Sequence, residues 1–296
     1  MSGLSSMDEL KNNPPVSEKW DTVIKPQSSL FDLQLAEVWR YRDLLQLFVK
    51  RDFSAQYKQT ILGPLWHVIQ PLFTTAIYLL LFGKIANIPT NGIPPVLFYM
   101  SGIALWNYFS ACLTNTSNVF VTNAGIFGKV YFPRLVLPFS TVLSNIIRLG
   151  IQFVLLFAAM VWFQFKGFPI HVSVLWLWVP LLVLLMAGLG LGLGIIISSL
   201  TTKYRDFTIL MGFIVQMLMY VSPIGYPLSY IHDSRYKAII SLNPLSSIIE
   251  AFRYALFQKG NPDFSGLLYS GSFTVIALFI GLLIFSRVEK TFMDTV

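Results

Sequence analysis

Side chains that could do acid-base or metal chemistry are sparse in this chain and fall far apart. After residue 52 the acidic residues are Asp206, Asp233, Glu250, Asp263, Glu289 and Asp294, and His67, His171 and His232 have no metal-ligand spacing. An enzyme working in a membrane usually gathers carboxylates, His or Cys at depth or in its loops, so neither catalysis nor a resident metal is expected. The one cysteine, Cys112, lies inside an apolar run, which leaves no intrachain disulfide and no thiolate zinc site. GIFGKV over 125–130 looks like a phosphate loop, but its spacing is wrong and no Ser or Thr follows Lys129. ATP is therefore not expected to bind this chain by that route. Arg148 is the charge that falls well inside an apolar stretch, with Ser144, Asn145 and Gln152 beside it at helical spacing. It lines a wet path, snorkels to an interface, or satisfies a neighbouring helix end.

The elements that must carry these residues are membrane helices. Of 296 residues, 55% are hydrophobic, 15% aromatic and only 12% charged, against about 25% charged in globular domains, so the chain reads as a polytopic membrane protein. Six apolar stretches, near 66–86, 95–120, 134–164, 172–200, 207–230 and 267–287, approach or exceed the ~20 residues of a spanning helix. Before them, residues 41–58 form an amphipathic helix. Leu44, Leu45, Phe48, Val49, Phe53 and Tyr57 share one face, with Arg42, Asp43, Lys50, Arg51 and Lys58 on the other, a pattern suited to lying on a membrane. After Gly63 and Pro64 the charges stop, and the chain enters the bilayer near Trp66.

The expected organisation is a mobile polar tail over 1–30, an interface helix within 31–60, a six-span unit over 61–290 and a short C-terminus over 291–296. An even span count puts both termini on one side, and the Lys and Arg of the leader, the 121–134 turn, Lys203/Arg205 and Arg287/Lys290 make that side cytoplasmic. The last long loop breaks the pattern with Arg235, Lys237, Arg253 and Lys259. Its apolar pieces are short and interrupted by Pro223, Pro227 and Pro244, so the region of about 222–262 reads as re-entrant half-helices, with a solvated external loop as the alternative. Glu250 and Arg253, spaced i, i+3, can pair there. Gly188, Gly190, Gly192 and Gly194 make two overlapping GxxxG registers for close helix packing, within the chain or between copies. In the turn VTNAGIFGKVYFP, the residues Phe127, Val130, Tyr131 and Phe132 are exposed unless a partner subunit or the 41–58 helix covers them.

Taken together, RDFSAQYKQTILGPLWHVIQP (51–71), NAGIFGKVYFPRLVLP (123–138), YRDF and SPIGYP (204–227) and LNPLSSIIEAFR (242–253) resemble the membrane subunit of a type-2 ABC exporter of polysaccharide or polyol phosphate, the permease family of O-antigen, capsule and teichoic acid export. The likeness runs in order over about 38–290. It implies an all-α integral membrane protein with six transmembrane helices, an N-terminal amphipathic interface helix and re-entrant half-helices before the last span. It further implies a homodimeric, non-catalytic permease in the bacterial cytoplasmic (inner) membrane, bound to two copies of a soluble ATP-binding subunit. ATP and Mg would belong to that partner, and the cargo would be a lipid-linked (undecaprenyl-type) glycan. By the same resemblance Asp43, Lys50, Arg51, Tyr57, Asn123, Gly125, Phe127, Lys129 and Tyr131 would contact the ATPase subunit. Pro223, Pro227 and their neighbours would close the outer mouth. Amphipathic rings suit a path for sugar C–H faces, which makes Trp106, Tyr108, Phe109, Met217, Tyr220 and Tyr226 channel candidates beside Arg148, each with core packing or interface anchoring as the alternative. Two rival readings share parts of this pattern: a type-2 ABC permease for drugs or other lipids, and a membrane enzyme acting on polyprenyl-linked sugars. An ion channel or secondary carrier would want more buried charge than these spans hold. Nothing in the sequence points to nucleic acid.

Overall fold

A computed structural model of the chain describes residues 35–58, 60–127, 132–204 and 206–291, and over these it is all-helical. In chain order the helices are α1 (Leu35–Arg40), α2 (Arg42–Tyr57), α3 (Trp66–Tyr78, prolonged by a π-helical stretch Leu79–Ile85), α4 (Pro95–Ser117), α5 (Val119–Phe127), α6 (Val136–Phe165), α7 (Trp178–Lys203), α8 (Asp206–Val221), α9 (Ser234–Ser241), α10 (Pro244–Phe257) and α11 (Phe264–Thr291). Five of them, α3, α4, α6, α7 and α11, are long and apolar enough to cross a membrane. The fifth stretch of the sequence is shorter than its apolar run suggests. α8 ends at Val221, where Ser222 makes the last helical bond to Leu218 O and Pro223 has no N–H to continue the ladder. Its 16 residues rise about 24 Å, less than the ~30 Å hydrocarbon layer.

α7 is the central post. Its glycines serve two neighbours at once: a Cβ on Gly190 or Gly194 would strike Cys112 or Thr116 of α4 at 2.8 and 2.6 Å, and one on Gly188 or Gly192 would strike Thr274 or the Leu278 backbone of α11 at 2.9 and 2.7 Å. The two GxxxG registers therefore work inside the chain, one per neighbour. α4, flanked by α3, α6 and α7, supplies the deepest part of the core, with Leu97, Phe98, Tyr99 and Leu105 fully buried.

α2 buries its predicted apolar face, with Phe48 enclosed and Leu44 and Leu45 half-buried, while Arg42, Asp43, Gln46 and Lys50 are exposed. That face packs on α6, and Phe48 meets Phe132 with ring centroids 5.6 Å apart. The apolar stripe thus serves helix packing first, and Phe132 takes the intramolecular of its two predicted fates. Val130 and Tyr131 lie outside the described residues.

At the opposite end α10 is no solvated loop. Asn243 caps it, its Oδ1 accepting from Leu245 N at 3.1 Å, and its apolar residues are buried against α4, α7 and α11. α9 has no buried residue and lies over this end, capped by Asp233. Asp263 caps α11, and the Ser265 hydroxyl, then the Gly266 backbone, hold its carboxyl below the usual carboxylate range.

Candidate functional site

Two adjoining clefts run along the faces of α4 and α6 that turn away from α7. The inner one, about 340 Å³, is lined by Asn107, Ser110, Thr114 and Asn115 of α4, Asn145, Arg148 and Gln152 of α6, Gln56 at the end of α2, His67 and Gln70 of α3, and Val215 of α8. The second, about 480 Å³, shares Thr114, Asn115 and Arg148 with it and continues past Asn118, Thr141 and Ser144 to Arg51, Asp52 and Asn123. Together they form a groove of mixed polar and apolar lining, with Pro71, Tyr108, Ala111 and Leu149 among its apolar walls, along the halves of α4 and α6 nearer α2. The polar residues of α6 recur at 141, 144, 145, 148 and 152 because that spacing keeps them on one helical face. Within the groove contacts are loose: Asn115 Nδ2 donates to Asn145 Oδ1 at 3.5 Å, and Asn145 Nδ2 approaches Cys112 Sγ at 3.9 Å. Gln152 Oε1, nine-tenths buried, has no protein partner.

The groove opens at the α2 end on a joint between two elements. Arg51 Nη2 donates to Asn123 Oδ1 at 2.9 Å across 72 residues of sequence, while its Nε and Nη2 also hold Asp52 at 2.9 and 2.7 Å and its guanidinium lies 4.7 Å from the Phe48 ring. Asn123 breaks the α5 helix, φ −108°, ψ 15°, and its Nδ2 donates to Val119 O at 2.9 Å. Of the residues the resemblance assigns to a partner surface, Asp43 and Lys50 are exposed on α2 and Gly125 on α5, and Arg51 and Asn123 are joined to each other. Tyr57 and Phe127 close α2 and α5, their side chains outside the description, and Lys129 lies outside the described residues altogether.

The far end of the molecule is tied shut by one side chain. Arg253, 1% exposed, donates from Nη1 to Pro223 O at 2.7 Å and from Nη2 to Ile224 O at 2.8 Å and Phe98 O at 3.3 Å, with its guanidinium 3.6 Å from the Phe98 ring centroid. Glu250, one turn earlier, sits 3.7 Å from Arg253 Nη1 and accepts from Leu228 N at 3.2 Å. The predicted pair exists, and its larger task is to hold the S-P-I-G-Y-P loop. Asn243 Nδ2 reaches Ser222 Oγ at 3.0 Å, Tyr226 OH donates to Tyr220 O and Val221 O, and a Cβ on Gly225 would lie 3.0 Å from the Phe82 ring. Pro223 and Pro227 are buried in this closure.

Among the aromatic channel candidates, Trp106 and Phe109 belong to the core, 4% and 0% exposed, on the side of α4 away from the groove. Tyr108 lines the inner cleft, and Met217 and Tyr220 lie on the outward face of α8. Sequence reasoning passed over the amides of the groove, Asn107, Asn115, Gln56 and Gln70. The signal that could have found them is the recurrence of Asn, Ser and Thr on one face of α4, at 107, 110, 114, 115 and 118.

The groove lies between membrane-length helices and opens on the Arg51–Asn123 joint, and the loop pinned by Arg253 lies beyond its lining. Residues 43–257 match the family of the ABC-2 type transporter. The chain belongs to that family. This ABC-2 transporter chain is 30% identical over 255 residues to the O-antigen export system permease protein RfbA of Klebsiella pneumoniae, covering 85% of the chain and 94% of that relative. It is 26% identical over 268 residues to RfbA of Myxococcus xanthus, with 88% and 98% covered. With the polysialic acid transport protein KpsM of Escherichia coli it shares 24% identity over 252 residues, with 83% and 93% covered.

Proposed function

We propose that this ABC-2 chain is the permease of an ATP-driven exporter of a lipid-linked polysaccharide, O-antigen-like or teichoic acid, in the cytoplasmic membrane of a bacterium. It works as a homodimer with two copies of a separate ATP-binding subunit, both termini on the cytoplasmic side. The observation that carries the reading is the groove, a path of amides and hydroxyls along α4 and α6 that runs from the Arg51–Asn123 joint toward the α10 end. Polar faces of this kind are expensive in a membrane helix unless water or cargo occupies them. The names of the relatives point to polysaccharide as cargo.

In this mechanism the ATP-binding subunit grips the exposed residues of α2 and the α5 turn, with Phe127, Lys129 and Tyr131 as anchors. Closure of that subunit moves α2 and α5 as one body through Arg51 and Asn123, and α3 and α8 of the two copies part. The re-entrant segment of α9, α10 and the loop pinned by Arg253 is the outer gate, with Met217, Tyr220 and Tyr226 at its rim.

The test is export from inverted membrane vesicles containing the chain and its partner. Radiolabelled lipid-linked glycan is expected to reach the lumen only with both subunits and hydrolysable ATP, and the partner is expected to be lost from the purified chain when Phe127 and Tyr131 become Asp. A chain that purifies alone under mild conditions, with no ATP-dependent transport in vesicles, would sink the reading.

A further inference from the structure

Away from the groove, at the α10 end, a cleft of about 590 Å³ lies between α9, α10 and the start of α11. It holds charges of both signs that do not meet. Lys237 of α9 acts on the charge of Asp263 at the head of α11, yet no ion pair joins the two among the described residues. Glu250, the third charge, is already engaged by Leu228 N and by Arg253. Ser247, 5% exposed, presents to the cleft a hydroxyl that makes no hydrogen bond among the described residues. It stands beside Asp263 Oδ2, since a Cβ on Gly266 would meet both atoms. A buried hydroxyl without a partner, next to a carboxylate whose bonds from Ser265 go to Oδ1, calls for a donor from outside the chain.

The cleft lies at the depth of lipid head groups. Asp263 directly precedes Phe264, where the membrane-length α11 begins, and Asn91, also in the lining, stands just before α4 begins at Pro95. α9 turns its polar side inward: Lys237 and Ser241, one turn apart, line the cleft, while Tyr236 and Ile239 on the other arc are exposed. Tyr269 OH donates to Leu242 O at 3.1 Å, which brings the exposed Leu242 at the end of α9 against α11, where Phe264, Leu268 and Val275 form one exposed apolar face. The bare side of α9 thus continues the apolar surface of a spanning helix.

We propose that this cleft binds the head group of a zwitterionic phospholipid, a phosphatidylethanolamine, from the leaflet at the α10 end, with Lys237 on the phosphate, Asp263 and Ser247 Oγ accepting from the ammonium, and the acyl chains along α9 and α11. A primary ammonium has three N–H donors for the carboxylate and the idle hydroxyl, whereas a quaternary choline has none, and a head group without a cation would leave Asp263 unanswered. Bound there, the lipid ties α9, which has no buried residue of its own, to α10 and α11. The site needs a membrane around the chain and nothing of the cargo, so it stands or falls independently of the export reading.

The experiment titrates dihexanoyl phosphatidylethanolamine onto the full-length chain in neutral detergent and reads the Kd by native mass spectrometry. The matching phosphatidylcholine and phosphatidylglycerol, and glycerophosphoethanolamine without acyl chains, serve as comparators. The wild-type chain is expected to bind the ethanolamine lipid at least about fivefold more tightly than either other lipid, as a charge-assisted contact should give. Asp263→Asn, which keeps a side chain able to cap α11, should erase the preference over phosphatidylglycerol. Lys237→Gln should weaken all three lipids by a similar factor, while Arg235→Gln, exposed on the same helix and outside the cleft lining, should bind as wild type. Lys237 and Asp263 are both exposed, so neither substitution opens the core. Equal binding of the three lipids by the wild-type chain, an unchanged preference in D263N, or a loss in R235Q as large as in K237Q would each overturn the assignment. So would displacement by glycerophosphoethanolamine as effective as by the lipid, which would make the ligand a soluble one.

Discussion

At the residue scale, Arg253 shows how a buried charge becomes a structural fastener. The sequence marks it as an i+3 partner of Glu250, yet its shortest bonds run to the carbonyls of Pro223 and Ile224, about 30 residues away. These carbonyls are turned from helical partners by the proline-broken chain, and a planar fork with several donors can serve them together. Gly102 makes room for it, since a Cβ there would lie 2.5 Å from Nη2. Arg253→Met should destabilise the chain by roughly 3 kcal/mol or more, because the carbonyls stay buried without their donor. Arg253→Lys should recover only part of this, as an ammonium cannot span the same fork. Thermal melts in detergent check the order wild type, Lys, Met, with Arg235→Met at an exposed site near wild type.

At the element scale, the glycines of α7 make a sharper contrast than their motif alone. Gly192→Ala should lower the melting temperature clearly, because its Cβ would meet α11 backbone at 2.7 Å, which has no side chain to swing aside. Gly212→Ala on α8, with nothing within 4 Å, should be neutral or slightly stabilising through helix propensity, about 1 kcal/mol at most. No loss at Gly192 would mean that α7 does not pack on α11 at this distance, and an equal loss at Gly212 would mean that α8 is covered where the structure leaves it open. The α2–α5 joint permits a second measurement. Arg51→Ala and Asn123→Ala should each reduce transport-coupled ATP hydrolysis by the partner. In a double-mutant cycle they should show an interaction of about 0.5–2 kcal/mol, since they share one hydrogen bond. Strict additivity would remove the joint from the mechanism.

At the scale of the whole molecule, α8 is less supported than any of the five spanning helices. It rests on α4 and α7 through few residues, including Thr208 Oγ1 on Asn118 Oδ1 at 3.1 Å, and leaves Ile209, Phe213 and Met217 outward at helical spacing. In the proposed homodimer this face meets the second copy. Phe213→Cys should then form a disulfide between copies in native membranes, while Val154→Cys, equally outward on α6, should not. Cys112 is fully buried, so the background is silent. Monomeric Phe213→Cys under oxidising conditions would place the dimer contact elsewhere.

The sequence by itself determined the membrane class, the all-helical fold and the amphipathic α2, because hydropathy and period are local properties that any helix must obey. The residues that resemble the family were also legible, and the family match covers them. Span ends were not. The apolar run over 207–230 conceals a stop at Ser222–Pro223, since hydropathy does not register a missing backbone donor. Only the tertiary structure decided that both GxxxG registers act within one chain, that Trp106 and Phe109 are core, and that Arg253 is a clasp for a distant loop. The groove belongs to this second group: Gln56, Gln70, Asn107 and Gln152 come from four helices. A helical period puts each on a face, and only the packing of α3, α4 and α6 on one another, with α2 laid on α6, brings those faces together.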